Sequence, residues 1–137
     1  MGLTVLDAGV VIGILDAGDA HHVAARRVLR VALERGDQLV LPASALAETL
    51  VGPSRVGPRA VEVVQRLLDR LPVTVEPIDE EVALEAAATR AAHPSLRLPD
   101  ALVIATASLL GADRLVTTDR RWLARSRLRI RAAVEVL

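Results

Sequence analysis

The 137-residue chain contains no cysteine, lysine, asparagine, phenylalanine or tyrosine, and Trp122 is its only Phe, Tyr or Trp residue. Each absence removes a class of function. Without cysteine there is no disulfide framework, no thiolate metal site and no cysteine nucleophile, and a cytoplasmic location is expected. Without lysine there is no phosphate-binding-loop lysine, no Schiff base and no receiver-type phosphorylation site. No apolar run reaches membrane-spanning length, because Arg, Asp, Glu, Gly or Pro interrupts each one. The first residues carry neither the basic flank nor the small-residue cleavage site of a signal peptide. Net charge is missing as well: 17 basic residues, all Arg, balance 17 acids. There is thus no whole-molecule electrostatic case for nucleic acid.

What is present fits one domain over residues 1–137, since 52% of the chain is hydrophobic and the length supports a single core. Charge is unevenly placed. Residues 114–131 hold seven arginines (114, 120, 121, 125, 127, 129 and 131) against one acid, Asp119. The rest of the chain carries the matching acidic excess.

In chain order, residues 3–6 read as a buried strand ending at Asp7, and residues 8–15, with Gly9 and Gly13, as a close-packed helix or turn. Residues 16–19 form a loop, and 21–35 an amphipathic helix stopped by Gly36. A second strand over 38–41 is broken by Pro42, and Ser44 caps a helix that passes Glu48 and ends near Val51. Residues 52–58 are the clearest loop signal in the chain. An amphipathic helix over 59–71 and a third strand over 73–75 follow. Asp79 then caps a helix over 80–92, with Glu80 and Glu81 in its first turn.

The stretch from Leu98 to Trp122 organises the rest. Pro99 suits a first helical turn and Gly111 the residue past a helix end, so a helix is expected between them. It is apolar almost all round and is expected to be buried. A strand over 115–117 comes next, then Asp119, and 134–136 make a last edge strand. Strands separated by helices of ten or more residues imply parallel pairing. The expected fold is a three-layer α/β/α sandwich with a central, mainly parallel sheet.

In such a sheet, functional groups gather beyond the carboxyl ends of the strands. Asp7 and Asp119 follow strands directly, Asp100 opens a helix, and Glu48 lies one turn into another. Carboxylates about 5 Å apart repel by roughly 3 kcal/mol per pair at an effective dielectric near 20. A cluster therefore needs raised pKa values, arginine partners or a divalent cation. With no cysteine and no histidine beside these acids, an all-oxygen site favours Mg²⁺ or Mn²⁺ over Zn²⁺. Each acid also has a plainer reading: Asp100 as a first-turn helix acid, Glu48 as a solvated or arginine-paired side chain. Asp79 is assigned as an N-cap and Asp113 as a solvated loop acid. His21 and His22 are expected on the surface, Ser44 and Thr106 as a cap and a packing residue, and Trp122 in the core.

Four segments resemble the PIN domain family: Val5-Leu6-Asp7 with Val10-Val11-Ile12, residues 44–48 ending in Glu48, Leu98-Pro99-Asp100-Ala101 with the helix to Ala107, and Leu115 to Trp122. They look most like VapC toxins of type II toxin–antitoxin pairs, and the resemblance spans essentially the whole chain. It implies a metal-dependent endoribonuclease with Mg²⁺ or Mn²⁺ as cofactor, RNA as substrate, a cognate antitoxin as partner and a homodimeric state, which is also expected because the apolar faces around Val23 to Val31 and Val61 to Leu71 exceed what one small sheet needs. It assigns Asp7, Glu48, Asp100 and Asp119 to the acidic quartet, as catalytic residues and metal ligands, and Thr117 as the supporting hydroxyl. One position departs: the family commonly has Ser or Thr two residues after the first Asp, where this chain has Gly9.

Arg120, Arg121 and Arg125 have two readings, a strip contacting RNA phosphates or a solvated face with internal ion pairs. Two other classes stand beside the nuclease. A receiver- or phosphatase-type phosphoryl-transfer domain also places acids at strand ends. It is disfavoured by the missing lysine and by Asp7-Ala8-Gly9, which lacks the second Asp of an Asp-x-Asp motif. A catalytically inactive PIN-like RNA- or protein-binding module is left open by Gly9.

Overall fold

The computed structural model describes residues 2–124 and 130–137. Among them, five strands form one sheet: β1 (Leu3–Leu6), β2 (Gln38–Pro42), β3 (Val73–Glu76), β4 (Arg114–Thr117) and β5 (Ala133–Val136). Their order is β3-β2-β1-β4-β5, and every neighbouring pair is parallel. The register sets Val5 opposite Val40 of β2 and Leu115 of β4. β1 and β4 are buried along most of their length, Thr4 and Thr117 included, because both of their faces are covered. The edge strands β3 and β5 are mostly exposed and can carry Thr74, Glu76 and Glu135.

Among the described residues six α-helices accompany the sheet: α1 (Ala8–Leu15), α2 (His22–Arg35), α3 (Ala43–Val56), α4 (Pro58–Asp69), α5 (Glu80–Ala92) and α6 (Leu98–Leu109). None is long and apolar enough to cross a membrane. The α/β/α sandwich expected from the sequence is the fold observed. α6 packs on α5 and against β1, β2 and β4, and its residues from Val103 to Ala107 are all buried. Gly111, at φ +62°, takes the left-handed conformation that ends this helical segment. Gly13 lets α1 and α2 touch, since a Cβ there would lie 3.0 Å from the Ala25 methyl carbon.

The structure corrects several local expectations. Ser44 does not cap α3. The helix begins at Ala43 with Pro42 (φ −57°) in the cap position, because proline's fixed φ already suits a helix start. Ser44 therefore falls in the first turn, its hydroxyl buried without a hydrogen-bond partner among the described residues. Nor are residues 52–58 a loop. α3 runs through Gly52 and Pro53 to Val56, forfeiting the bond Pro53 cannot donate, and turns only at Gly57, where φ is +147°.

Asp113 is exposed, yet its Oδ2 accepts the Leu3 N–H at 2.8 Å, while Asp37 Oδ1 accepts the Gly2 N–H at 2.8 Å. These two acids pin the entry to β1. His22 is half-buried rather than on the surface, its Nδ1 2.7 Å from the Gly13 carbonyl oxygen. Asp79 does cap α5, accepting the Val82 N–H at 2.9 Å. Trp122 lies in the core at 3% exposure, and Thr106 is buried with its hydroxyl donating to the Leu102 carbonyl.

Candidate functional site

β1 connects toward β2 on one side, and β4 connects toward β5 on the other. The two strands are neighbours, so the carboxyl ends of β1 and β4 frame the point where strand order reverses. Asp7 follows β1 directly, and Asp119 lies two residues past β4. Asp100 is in the first turn of α6 and Glu48 in the second turn of α3. The charges of Asp100 and Asp119 act on Asp7, those of Asp7 and Asp100 act on Glu48, and that of Asp119 acts on Asp100. The fold therefore sets each of the four acids within electrostatic reach of at least two others.

Asp7 is the most constrained. It is 8% exposed. Its Oδ1 accepts the Ala8 N–H at 2.8 Å as the N-cap of α1, and its Oδ2 accepts the Thr117 hydroxyl at 2.7 Å. Thr117 is fully buried, and its Oγ also accepts the Asp119 N–H at 3.1 Å. One hydroxyl thus ties the ends of β1 and β4 to each other. Burial raises the Asp7 carboxyl above the usual range against the lowering effect of those two bonds, and Asp100 and Asp119 push it further up.

Asp100 is also buried and also raised, first by desolvation, with Arg97 pulling the other way. Arg97 Nε lies 3.5 Å from Asp100 Oδ2, across the helix start. Glu48 is raised by burial and by Asp7 and Asp100. Asp119 alone is lowered, because Arg121 donates to both of its carboxylate oxygens, with the Nη2 to Oδ2 contact at 2.7 Å. The arginine heads that pair with Asp100 and Asp119 belong to side chains 60% and 61% exposed. Arg121 therefore takes the internal-ion-pair reading. Arg120 is exposed, and Arg125 lies outside the described residues.

As these side chains stand, no three His, Cys, Asp or Glu groups among the described residues are close enough to hold a metal ion. The donor set nevertheless suits a hard divalent cation in kind. It is all oxygen, and three of its four carboxyls are held up by burial and mutual repulsion, which a cation would relieve. Pairing to Arg97 and Arg121 does part of that work. Sequence reading missed Arg97, although its three-residue spacing to Asp100 at a helix start was visible. It also missed Thr118, whose side chain lies against Gly9. A groove of about 650 Å³ between α2 and the β4–β5 side of the sheet is lined by Thr4, Val28, Arg114 and Glu135 among others, and by none of the four acids.

Comparison with solved structures gives matches over nearly the whole chain. A toxin–antitoxin complex from Klebsiella pneumoniae is 22% identical, with a TM-score of 0.70 over 97% of this chain and 96% of that one. VapBC2 from Rickettsia felis, bound to a DNA fragment from its promoter, is 12% identical, with a TM-score of 0.76 and 98% of each chain covered. VapC20 of Mycobacterium tuberculosis, a sarcin–ricin loop cleaving toxin, is 20% identical, with a TM-score of 0.71 over 90% and 95% of the two chains. At these identities the likeness is one of fold. Among curated proteins there is no match. The family model of the PIN domain matches residues 4–128. With that match spanning most of the chain, and the parallel sheet and its acid-lined edge in place, this chain belongs to the PIN domain family.

Proposed function

We propose that this chain is an endoribonuclease dependent on Mg²⁺ or Mn²⁺ and the VapC-type toxin of a type II toxin–antitoxin pair. The observation that carries this reading is the convergence of Asp7, Glu48, Asp100 and Asp119 at the strand-order switch. Family membership supports nuclease chemistry. The toxin–antitoxin complexes and the RNA-cleaving toxin among its structural relatives support the biological role and a cognate antitoxin as partner. A cytoplasmic site of action follows from an RNA substrate. Residues 1–137 are read as one domain.

The four acids would hold the cation. When bound, it supplies Lewis-acid stabilisation of charge on the phosphate and a more acidic water. The chain's own contribution is positional. Thr117 fixes the Asp7 carboxylate and the Asp119 backbone against each other. One of the four acids, Glu48 or Asp119, would also accept a proton from water. Arg97 and Arg121 balance Asp100 and Asp119, and their exposed heads can swing from a carboxylate to a substrate phosphate. Arg120 and Arg125 extend that basic strip toward RNA.

A second reading, a catalytically inactive PIN-like RNA- or protein-binding module, is favoured by one observation: Arg121 engages both Asp119 oxygens. Cleavage by pure protein decides between the two. The parent should cut RNA in Mg²⁺ or Mn²⁺ and stop in EDTA. Asp100→Asn should lose about a hundredfold or more of that rate, as removal of a charged ligand does, with an unchanged circular dichroism spectrum. Cleavage by Asp100→Asn at the parent's rate would remove Asp100 from the site.

A further inference from the structure

Arg121 makes four contacts with the Asp119 carboxylate, two to each oxygen. Oδ1 accepts the Arg121 backbone N–H and its Nε–H, both at 2.9 Å, and Oδ2 accepts the same Nε–H at 3.2 Å and Nη2 at 2.7 Å. An ionised carboxylate offers about four lone-pair positions, so one residue takes them all. The 3-10 turn over Arg120–Ala124 makes this possible. Its Trp122 N–H closes on the Asp119 carbonyl at 3.1 Å, and the Trp122 ring is buried. The turn is thereby anchored, with the backbone N–H and the guanidinium of Arg121 both facing Asp119.

Asp100 is tied in the same sense, with Arg97 Nε 3.5 Å from its Oδ2. The two pairs are not separate. Arg121 also acts on Asp100, and Arg97 acts on Glu48 and Asp119. Guanidinium thus stands among the acids where a divalent cation would stand. In that arrangement no three His, Cys, Asp or Glu groups among the described residues are placed to hold a metal ion. Both arginine side chains are exposed, so solutes can reach them.

We propose that Arg121 is a built-in competitor for the cation: its guanidinium occupies the Asp119 carboxylate, and that ligand becomes available only when Arg121 lets go. Arg121 acts through Asp119, as a positioning residue. A phosphodiester presents the guanidinium fork with the same pair of oxygens as a carboxylate does. An arriving nucleic-acid strand therefore draws Arg121 away and frees Asp119. Cation and phosphate binding then favour each other, by equal factors in both directions. This rests on the reading of the site as a divalent-cation centre.

The test uses the full chain, Arg121→Gln and Arg121→Lys. Mn²⁺ affinity is read by calorimetric titration, and melting temperature in EDTA and in saturating Mn²⁺ at neutral pH. Arg121→Gln should bind Mn²⁺ roughly tenfold more tightly, the fold-change that loss of one hydrogen bond to a charged group brings. It should melt below the parent in EDTA and level with it or above it in Mn²⁺, whereas a merely structural Arg121 would lower both temperatures. Arg121→Lys keeps the charge and loses the fork. It should bind Mn²⁺ more tightly than the parent and less tightly than Arg121→Gln. A short single-stranded DNA, used as a phosphodiester probe, should tighten Mn²⁺ binding more in the parent than in Arg121→Gln. Parent-like or weaker Mn²⁺ binding in Arg121→Gln, parent-like affinity in Arg121→Lys, or an equal effect of DNA on parent and variant would overturn the proposal while leaving the cation site standing. Absence of Mn²⁺ binding in parent and variants alike would overturn the cation-site reading itself.

Discussion

Asp7 performs two tasks, capping α1 with one oxygen and receiving the Thr117 hydroxyl with the other. Its environment nonetheless disfavours the charge, burial outweighing both bonds. A folded-state pKa above the unfolded value means that ionised Asp7 costs stability. That cost is absent below the unfolded value of about 3.9 and complete once the pH has passed the folded value. Asp7→Asn keeps an oxygen to accept the Ala8 N–H and removes the charge. In EDTA, its melting temperature relative to the parent should therefore rise as the pH climbs from about 4 through the raised folded value. Parallel melting curves for the two proteins across that range would contradict the assignment. Asp119 has the opposite sign: Arg121 lowers its pKa, so its contribution is present at neutral pH and lost as the pH falls through the lowered value.

At this scale the sequence was partly legible. The four acids stood at strand ends and helix starts, where topology alone brings them together. Their counter-ions were not legible. Arg121 reaches Asp119 only because the chain turns into a 3-10 helix at Arg120–Ala124, and the sequence gives no geometry for that turn. Thr118 and Gly9 are 109 positions apart, and only the β1–β4 pairing makes them neighbours.

Elements were legible wherever one signal dominated. Asp79 before Glu80-Glu81 has no competing reading, and it is the cap observed. Gly52 and Pro53 misled because composition favours a loop there, whereas α3 absorbs the proline and continues to Gly57. The amphipathic pattern of α4 was correctly placed, but its packing differs from that of an ordinary surface helix. No residue of α4 is buried. Val63 is 51% and Leu67 38% exposed, and Val56 just before it is 82% exposed. A helix with an apolar stripe gains its stability from covering that stripe. We propose that α4 of a second copy covers it, giving the homodimer. Light scattering at micromolar concentration should report twice the 14.6 kDa chain mass, and Leu67→Asp should return it to that mass. A monomeric parent would rule this interface out.

For the whole molecule, the alternation of short apolar strands with longer helices was enough to predict the sandwich, because parallel strands need such crossovers. It could not specify the order β3-β2-β1-β4-β5, which follows from which strand edges remain free after each crossover. That order sets β1 beside β4 and so makes one site from acids spread between positions 7 and 119. The central claim is that this site holds a divalent cation, and the competing view is that Arg97 and Arg121 already satisfy it. The two ion pairs join exposed arginine heads to a buried Asp100 and a half-buried Asp119, and a ligand at a hundredfold excess over its Kd adds about 2.7 kcal/mol to the folded state. The most direct measurement is the melting temperature of the parent in EDTA and in millimolar Mn²⁺ at neutral pH. The predicted result is a rise on the order of 10 °C, reduced in Asp7→Asn and Asp119→Asn and lost at low pH, where protonated carboxyls cannot hold the ion. An unchanged melting temperature in the parent would contradict the cation site and leave the arginines as its only counter-charge.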